Sequence, residues 1–387
     1  MVKKMASTSA QKSIVNRLDQ KDFLIECVDI AISEELGSPY LIELSKERGV
    51  KKGDIQSWKD LAEHLGPTPP EIFRDKSVNY TTTKWAHEYY AKTPGVELQV
   101  AETGGTTGPP KKNILLANTT RQDFKEMDYF DLTTDTFNVL VKMCLDQFED
   151  FGIPLGLTYL ATVPTGPHTI GKWTIKSFER DFAKSMFCID MDPRWVKKAA
   201  MIDPKIMGMY MQHMQDQTQA LVKQEFPFIE GLFTTGVLIE KSFPMIQALR
   251  NKGNLKAIVH GGTPLNNETL KILKEDMGLP VCGFYGQSLF GTAYESPDHD
   301  GFNIDYYPHP RMNMFVISDE NDITTRVNYG EEGTVVSQRI SPETVIPALV
   351  QTGDIAHLVK PKGKFNFADG VRNPHRDLKQ GEQMGVY

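Results

Sequence analysis

The sequence is poor in cysteine, in long apolar runs and in positive charge, and each shortage removes a class of function. There are four cysteines, Cys27, Cys144, Cys188 and Cys282. None forms a Cys-x-x-Cys pair, which argues against a zinc site. Cys27, Cys144 and Cys188 stand beside apolar residues in LIECVDI, VKMCLDQ and SMFCIDM, and read as small buried hydrophobes. No apolar run approaches the roughly 20 residues of a membrane-spanning helix, so no membrane partner is expected. The opening MVKKMASTSAQKS has no apolar core after its lysines. It reads as a frayed terminus rather than a secretory signal, and a cytoplasmic location is expected. Lys and Arg number 43 against 50 Asp and Glu, a net charge of −7. Nucleic acid is therefore not expected as the main partner, because phosphate contact needs basic surface.

What is present is an ordinary globular composition, 40% apolar and 24% charged, over 387 residues. That is enough for a large core and more than one domain or subdomain. Residues 14 to 65 read as helical, and GPTPPEIF as a proline-rich break. VELQVAE alternates like a strand and runs into a glycine-rich stretch. TTDTFNVLVKMCLDQFEDFGI reads as a helix ending at Gly152. Then strands and helices take turns: GLFTTGV, KSFPMIQALRNKG, LKAIVHGG, NNETLKILKEDMG, LPVCGFYG. Such alternation implies an α/β fold with a parallel sheet and ligands at the carboxyl ends of its strands. MNMFVISDEND, EEGTVVSQRI and IPALVQTGDIAHLVK then suggest a β-rich subdomain. The closing GVRNPHRDLKQGEQMGVY reads as polar and irregular.

The glycine-rich stretch, TGGTTGPPKKN from Thr103 to Asn113, joins glycines and threonines to two lysines. Glycine backbone N–H groups can converge on an anion without Cβ obstruction, and Thr and Lys add donors and charge. It is neither a Walker P-loop nor a dinucleotide fingerprint. By composition alone it is as much a linker as a phosphate loop. HGGTPL (His260 to Leu265), FYGQSLFGTAYE (Phe284 to Glu295) and QTGDIAHL (Gln351 to Leu358) follow in order. Asp354 in the last is suited to accept two hydrogen bonds from a ribose diol. Each alone is equally a helix start or a turn.

As an ordered set, these segments resemble the motifs of the adenylate-forming superfamily: acyl-CoA synthetases, luciferases and peptide-synthetase adenylation domains. The resemblance runs from about Thr103 to Arg372. Its phosphate loop is Thr103-Gly104-Gly105-Thr106-Thr107-Gly108-Pro109-Pro110-Lys111, with Gly104 for a serine. Gly261-Gly262-Thr263-Pro264-Leu265, Tyr285-Gly286-Gln287-Ser288-Leu289 and Gln351-Thr352-Gly353-Asp354 match the other three motifs, and GEEGTVVSQ a connecting strand. YGQSLFGTAYE looks most like the phenylacetate–CoA ligase branch. Short relatives of that branch include adenylating proteins of phenazine antibiotic pathways and acyl-protein synthetases.

The resemblance implies a large α/β domain of parallel sheets flanked by helices, with a β-rich subdomain near the C-terminus. The expected division is a nucleotide- and acyl-binding core at 1–305, a β-rich subdomain at 306–370 and a hinge-like tail at 371–387. It implies ATP-dependent activation of a carboxylic acid, expected to be aromatic and from secondary metabolism, to an acyl-adenylate. ATP and Mg²⁺ are the implied cofactors. Thr103, Gly105, Thr106, Thr107, Gly108 and Lys111 would hold the phosphates. Gly262, Thr263 and Pro264 would line the adenine, Tyr285 would pack on it, Ser288 would touch the α-phosphate and Asp354 would bind the ribose; Gly286, Gln287 and Arg372, the last a match to the family's Gly-Arg at the hinge junction, would also belong to the nucleotide site. Lys111 and Ser288 would carry the catalytic roles. His168, in VPTGPHTIGK, reads either as a ligand of the substrate carboxylate or as an ordinary loop histidine.

Two departures weaken the implied chemistry. The glutamate expected after Ser288 is Leu289, which has no oxygen for Mg²⁺; Glu295 is the candidate to replace it. The family's mobile C-terminal domain, with its lysine for the α-phosphate, is expected to be missing after Arg372, and Gln351 replaces an arginine. Removing a cation from a developing phosphate charge costs on the order of 10²–10³ in rate. Alternatives are therefore a nucleotide- or acyl-adenylate-binding protein with impaired catalysis, or an acyl-transfer protein using Cys282 as a thioester; the strand position of Cys282 in LPVCGFYG reads first as a packed thiol. A partner or carrier protein to take the acyl group, and a homodimer, are the expected assemblies.

Overall fold

The structure is a computed structural model that describes residues 19–103, 109–118, 124, 127–299, 301–362, 364 and 367–376. The helical opening resolves into helices at Gln20–Ile32, Pro39–Arg48 and Trp58–Leu65. Asp19, Ser38 and Ser57 each accept from a backbone N–H three residues on, which satisfies amides the first turn leaves without partners. Their apolar sides, including Phe23, Leu24, Leu41 and Leu61, close over Ile340 and Val345.

The alternating VELQVAE is β1 (Val96–Glu102), and β2 (Lys112–Asn118) pairs with it antiparallel. The glycine-rich stretch is thus the connection of a β-hairpin. Its two ends are tied together: the Thr103 N–H donates to the Lys111 carbonyl at 2.9 Å, and the Lys111 N–H donates to Thr103 Oγ1 at 3.0 Å.

Eleven strands make the main sheet. They are β3 (Leu157–Ala161), β4 (Ala183–Cys188), β5 (Gly231–Thr234), β6 (Ala257–Gly261), β7 (Val281–Gln287), β8 (Gly291–Glu295), β9 (Asp305–Pro308), β10 (Met312–Ile317), β11 (Glu332–Ser341), β12 (Thr344–Val359) and β13 (Gly370–Arg376). Their order is β10-β11-β12-β13-β9-β8-β7-β6-β5-β3-β4. From β4 to β7 the neighbours are parallel; from β7 to β10 they are antiparallel. Helices cover both faces of the parallel part. Leu232, Ile258 and Val281 pack under Ile239, Ile246, Leu249 and Leu273. The next residue of each strand, Phe233, Val259 and Cys282, packs with Phe137, Val141 and Phe148 on the other face, because successive side chains point to opposite sides.

The α/β architecture expected from the alternation is present, with three differences of detail. The β-rich segment has no sheet of its own; β9 and β13 join it to the parallel strands. Gly370–Arg376, read as the start of a hinge-like tail, is the strand β13, seated between β12 and β9. Its sequence, GVRNPHR, carries no apolar alternation, so the pairing comes from its neighbours. Cys188, read as buried, is exposed at the end of the edge strand β4, whereas Cys27 and Cys282 are buried.

Candidate nucleotide site

Asp354 is the centre of the site. Among the described residues it meets two from a motif almost seventy positions earlier. Gln287 Nε2 donates to Asp354 Oδ2 at 2.5 Å, and the Tyr285 hydroxyl donates to the same oxygen at 3.2 Å. Arg376 Nε lies 3.1 Å from Oδ1. Burial raises the Asp354 carboxyl above its usual range, while Arg376, Gln287 and Tyr285 pull it back. Burial and the Asp354 carboxylate push the Tyr285 phenol well up, so it stays a donor.

The other motifs reach the same place through backbone registry. β6 and β7 pair Gly261 with Phe284, the residue before Tyr285. Gly262 has φ 78°, a conformation glycine adopts at no steric cost. Thr263 Oγ1 accepts from the Val237 N–H at 3.1 Å, and Gly236 makes room, since a Cβ there would lie 2.2 Å from the Pro264 carbonyl oxygen. Gly286 likewise allows a tight β7–β8 turn: a Cβ would lie 2.5 Å from the Gly291 oxygen. Ser288 and Leu289 sit in that turn. Asn113 Nδ2, at the foot of the glycine-rich hairpin, donates to both their carbonyls at 2.9 and 3.0 Å. Burial lowers the Lys111 ammonium below its ordinary range, with Glu71 opposing and Arg74 and Arg376 adding to the lowering. Those two arginines are therefore its electrostatic neighbours. Gly105, Thr106, Thr107 and Gly108 lie outside the described residues.

His168 is buried, 6% exposed, beside the root of the hairpin. It bridges to Glu102, which in turn pairs with Arg194 at 3.1 Å. Burial and then Arg194 lower the imidazole, favouring its neutral form. Trp173, Phe178, Phe182 and Phe233 are buried in one apolar cluster, with Phe178 packed on Phe182 and Phe233.

Three sequence expectations change. Glu295 is not placed to replace a carboxylate at position 289. It is 1% exposed, accepts from the Gly283 N–H at 2.5 Å, and is bonded to His299 at 2.7 Å. It ends β8, four residues or about 13 Å along the strand from Gly291. Leu289 itself is buried with Phe73, Ile346 and Leu349. Among the described residues no three His, Cys, Asp or Glu side chains come together to hold a metal. Second, Arg372 forms a two-point pair with Asp305 at 2.6 and 3.1 Å and stands opposite His357, whereas Arg376 stands opposite Asp354. The four-residue offset moves Arg372 about 13 Å along β13. Third, the Cys282 thiol is fully enclosed and burial raises its pKa far above the ordinary value, so it is neither ionised nor reachable for a thioester. Arg376 and Asn113 had no sequence signal of their own; only the pairing of β13 with β12 and of the hairpin with the β7–β8 turn reveals them.

Among the described residues no helix is long and apolar enough to cross a membrane. No family model matches the chain, and no curated protein matches it. Solved structures do. An open conformation of 2-hydroxyisobutyryl-CoA ligase in complex with 2-HIB-AMP and CoA aligns at TM-score 0.55 and 13% identity, over 90% of this chain and 71% of that one. The same ligase in its postadenylation state with 2-HIB-AMP aligns at 0.56 and 13%, over 91% and 65%. ATP-bound MatB from Rhodopseudomonas palustris aligns at 0.41 and 14%, over 70% of this chain; the chain spans 46% of that protein's length. At these identities the likeness is one of fold: the chain has the mixed α/β fold, with its β-rich C-terminal region, seen in the 2-hydroxyisobutyryl-CoA ligase.

Proposed function

We propose that the protein binds ATP and activates a small carboxylic acid as its acyl-adenylate. The observation that carries this reading is the convergence of Tyr285, Gln287 and Asp354, with Gly261 paired to Phe284 on the neighbouring strand. In the proposed reaction a carboxylate oxygen of the acid attacks the α-phosphorus. The new bond is oxygen to α-phosphorus, the α–β bridging P–O bond breaks, and pyrophosphate leaves with the electron pair. Asp354 receives the ribose hydroxyls, Tyr285 and the Gly262–Pro264 backbone flank the base, and Ser288 faces the α-phosphate. Lys111 balances phosphate charge, joined by its neighbour Arg376. The neutral His168 beside the hairpin faces the acid. Positioning and charge balance of this kind are what a phosphoryl-type displacement requires. CoA or a carrier protein is the acceptor this reading would add, and an aromatic acid, as in the phenylacetate–CoA ligase branch, the first substrate to try.

A second reading, a nucleotide-binding protein with impaired catalysis, is favoured by Leu289, whose apolar cluster stands where a metal-holding carboxylate was expected. Calorimetric titration with ATP, followed by pyrophosphate release with Mg²⁺ and a panel of aromatic and aliphatic acids, separates the two. Release above that of Lys111→Ala supports the first. ATP binding without release from any acid supports the second. No ATP binding overturns both.

A further inference from the structure

The two oxygens of Asp354 do different things. Oδ2 takes both donors from the end of β7, Gln287 Nε2 at 2.5 Å and the Tyr285 hydroxyl at 3.2 Å. Oδ1 faces Arg376 Nε at 3.1 Å, and that arginine is half exposed. A carboxylate left to itself turns easily, because the last torsion of an aspartate is broad and two-fold. Here it is 7% exposed, and two neutral donors hold Oδ2. We infer that Gln287 is a positioning residue: it fixes the plane of Asp354 so that Oδ1 is presented to a ribose diol, with Arg376 as its occupant until a nucleotide arrives. The inference rests on the nucleotide reading proposed above.

The backbone supports the assignment. Gln287 pairs with Gly291 across the β7–β8 turn, and Gly286 brings the two strands too close for a side chain at that position. The turn is pinned from below by Asn113 and by Arg339, whose Nη1 donates to the Leu289 carbonyl at 3.4 Å. The Gln287 amide is thus held at a fixed place, and it is neutral. It can anchor Asp354 without cancelling the charge that makes the carboxylate a strong acceptor. Because Ser288 follows directly, the same residue couples the ribose carboxylate to the turn that faces the α-phosphate.

The test compares ATP with 2′,3′-dideoxy-ATP by calorimetry, on the wild type and on Gln287→Met, which keeps the reach and loses the donor. The wild type should prefer ATP. Gln287→Met should bind ATP about tenfold more weakly, the worth of one hydrogen bond to a charged group, and bind the dideoxy nucleotide almost as before. Tyr285→Phe removes the longer bond to the same oxygen and should erode the preference less; it carries the same comparison if the methionine variant does not fold. An unchanged preference in these variants, or an equal loss for both nucleotides, overturns the inference and leaves ATP binding standing. A wild type that binds both nucleotides equally overturns it too. A wild type that binds neither overturns the nucleotide reading itself.

Discussion

The two halves of the main sheet bury different things. In the parallel half the inner strands β3, β5, β6 and β7 bury apolar side chains on both faces: Leu160, Leu232, Ile258 and Val281 are essentially inaccessible, as are Tyr159, Ala161, Val259 and Cys282. The antiparallel half buries charge. Arg311, Arg339, Glu343 and His309 are all at 1% exposure or less. Arg339 pairs with Glu343 at 3.0 Å. Arg311 donates to the carbonyls of Tyr129, Thr134 and Asp131 at 2.6 to 2.9 Å, holding the loop before the helix Thr136–Asp150. The parallel half supplies glycine-bearing strand ends whose backbone shapes the site. The antiparallel half supplies the side chains that charge it, Asp354 and Arg376, on strands locked by buried ions.

Breaking the ionic half should cost most. Arg339→Met leaves Glu343 buried without its cation and should lower unfolding free energy by about 3–5 kcal/mol. The double variant with Glu343→Leu should recover most of that loss in urea titrations. If the single change costs no more than the double, the pair is not what holds this half.

Next in size is Leu289→Glu, which restores the expected carboxylate in sequence but not in space. Its apolar neighbours Phe73, Ile346 and Leu349 offer it no partner. A loss of roughly 3 kcal/mol in stability, with no new Mg²⁺ dependence of ATP binding, is expected; a tighter Mg²⁺-dependent complex would show that the turn can rearrange.

The parallel half carries a buried histidine on β6. His260 is held down to about 4 from 6.5, by burial first, with Glu295 opposing and Lys274 adding to the lowering. Below 6.5 the unfolded chain takes up a proton that the folded chain refuses until about pH 4. Stability is therefore fully present above pH 6.5 and falls as pH drops towards 4, by about 3 kcal/mol at most. His260→Gln should flatten that slope in unfolding curves measured across the window. A slope unchanged by the substitution would assign the acid sensitivity to the ionic half.

The smallest effect is on binding. Lys111→Ala should weaken ATP about tenfold, the worth of one charge-assisted contact. The wild type should also bind ATP less well as alkaline pH removes the Lys111 proton, and it should do so at lower pH than for an unburied lysine. A variant with unaltered affinity would place the phosphates away from the hairpin.

Much of the parallel half was legible in the sequence, because its signals are local. Ser and Asp caps, alternating strands and the glycines at 261, 262 and 286 each act within a few residues. Asp354 was marked by the glycine before it, but Gly353 and Asp354 lie within β12 rather than in a turn. β13 was not, since GVRNPHR becomes a strand only by filling the gap between β12 and β9. Nor could the sequence tell Arg372 from Arg376: both lie in the same polar stretch, and only the register sends one to Asp305 and the other to Asp354.

The residues by themselves therefore determined the α/β class and the order of four glycine-marked motifs, since backbone freedom and hydrophobic period are properties of short segments. The tertiary structure decided which groups meet. It turned Glu295 inward to Gly283 and His299, sealed Cys282, sank Leu289 among apolar neighbours and set Gln287 and Arg376 on the two oxygens of Asp354. These outcomes depend on strand register and burial between positions as much as 216 residues apart, Leu289 and Phe73, and no local pattern records them.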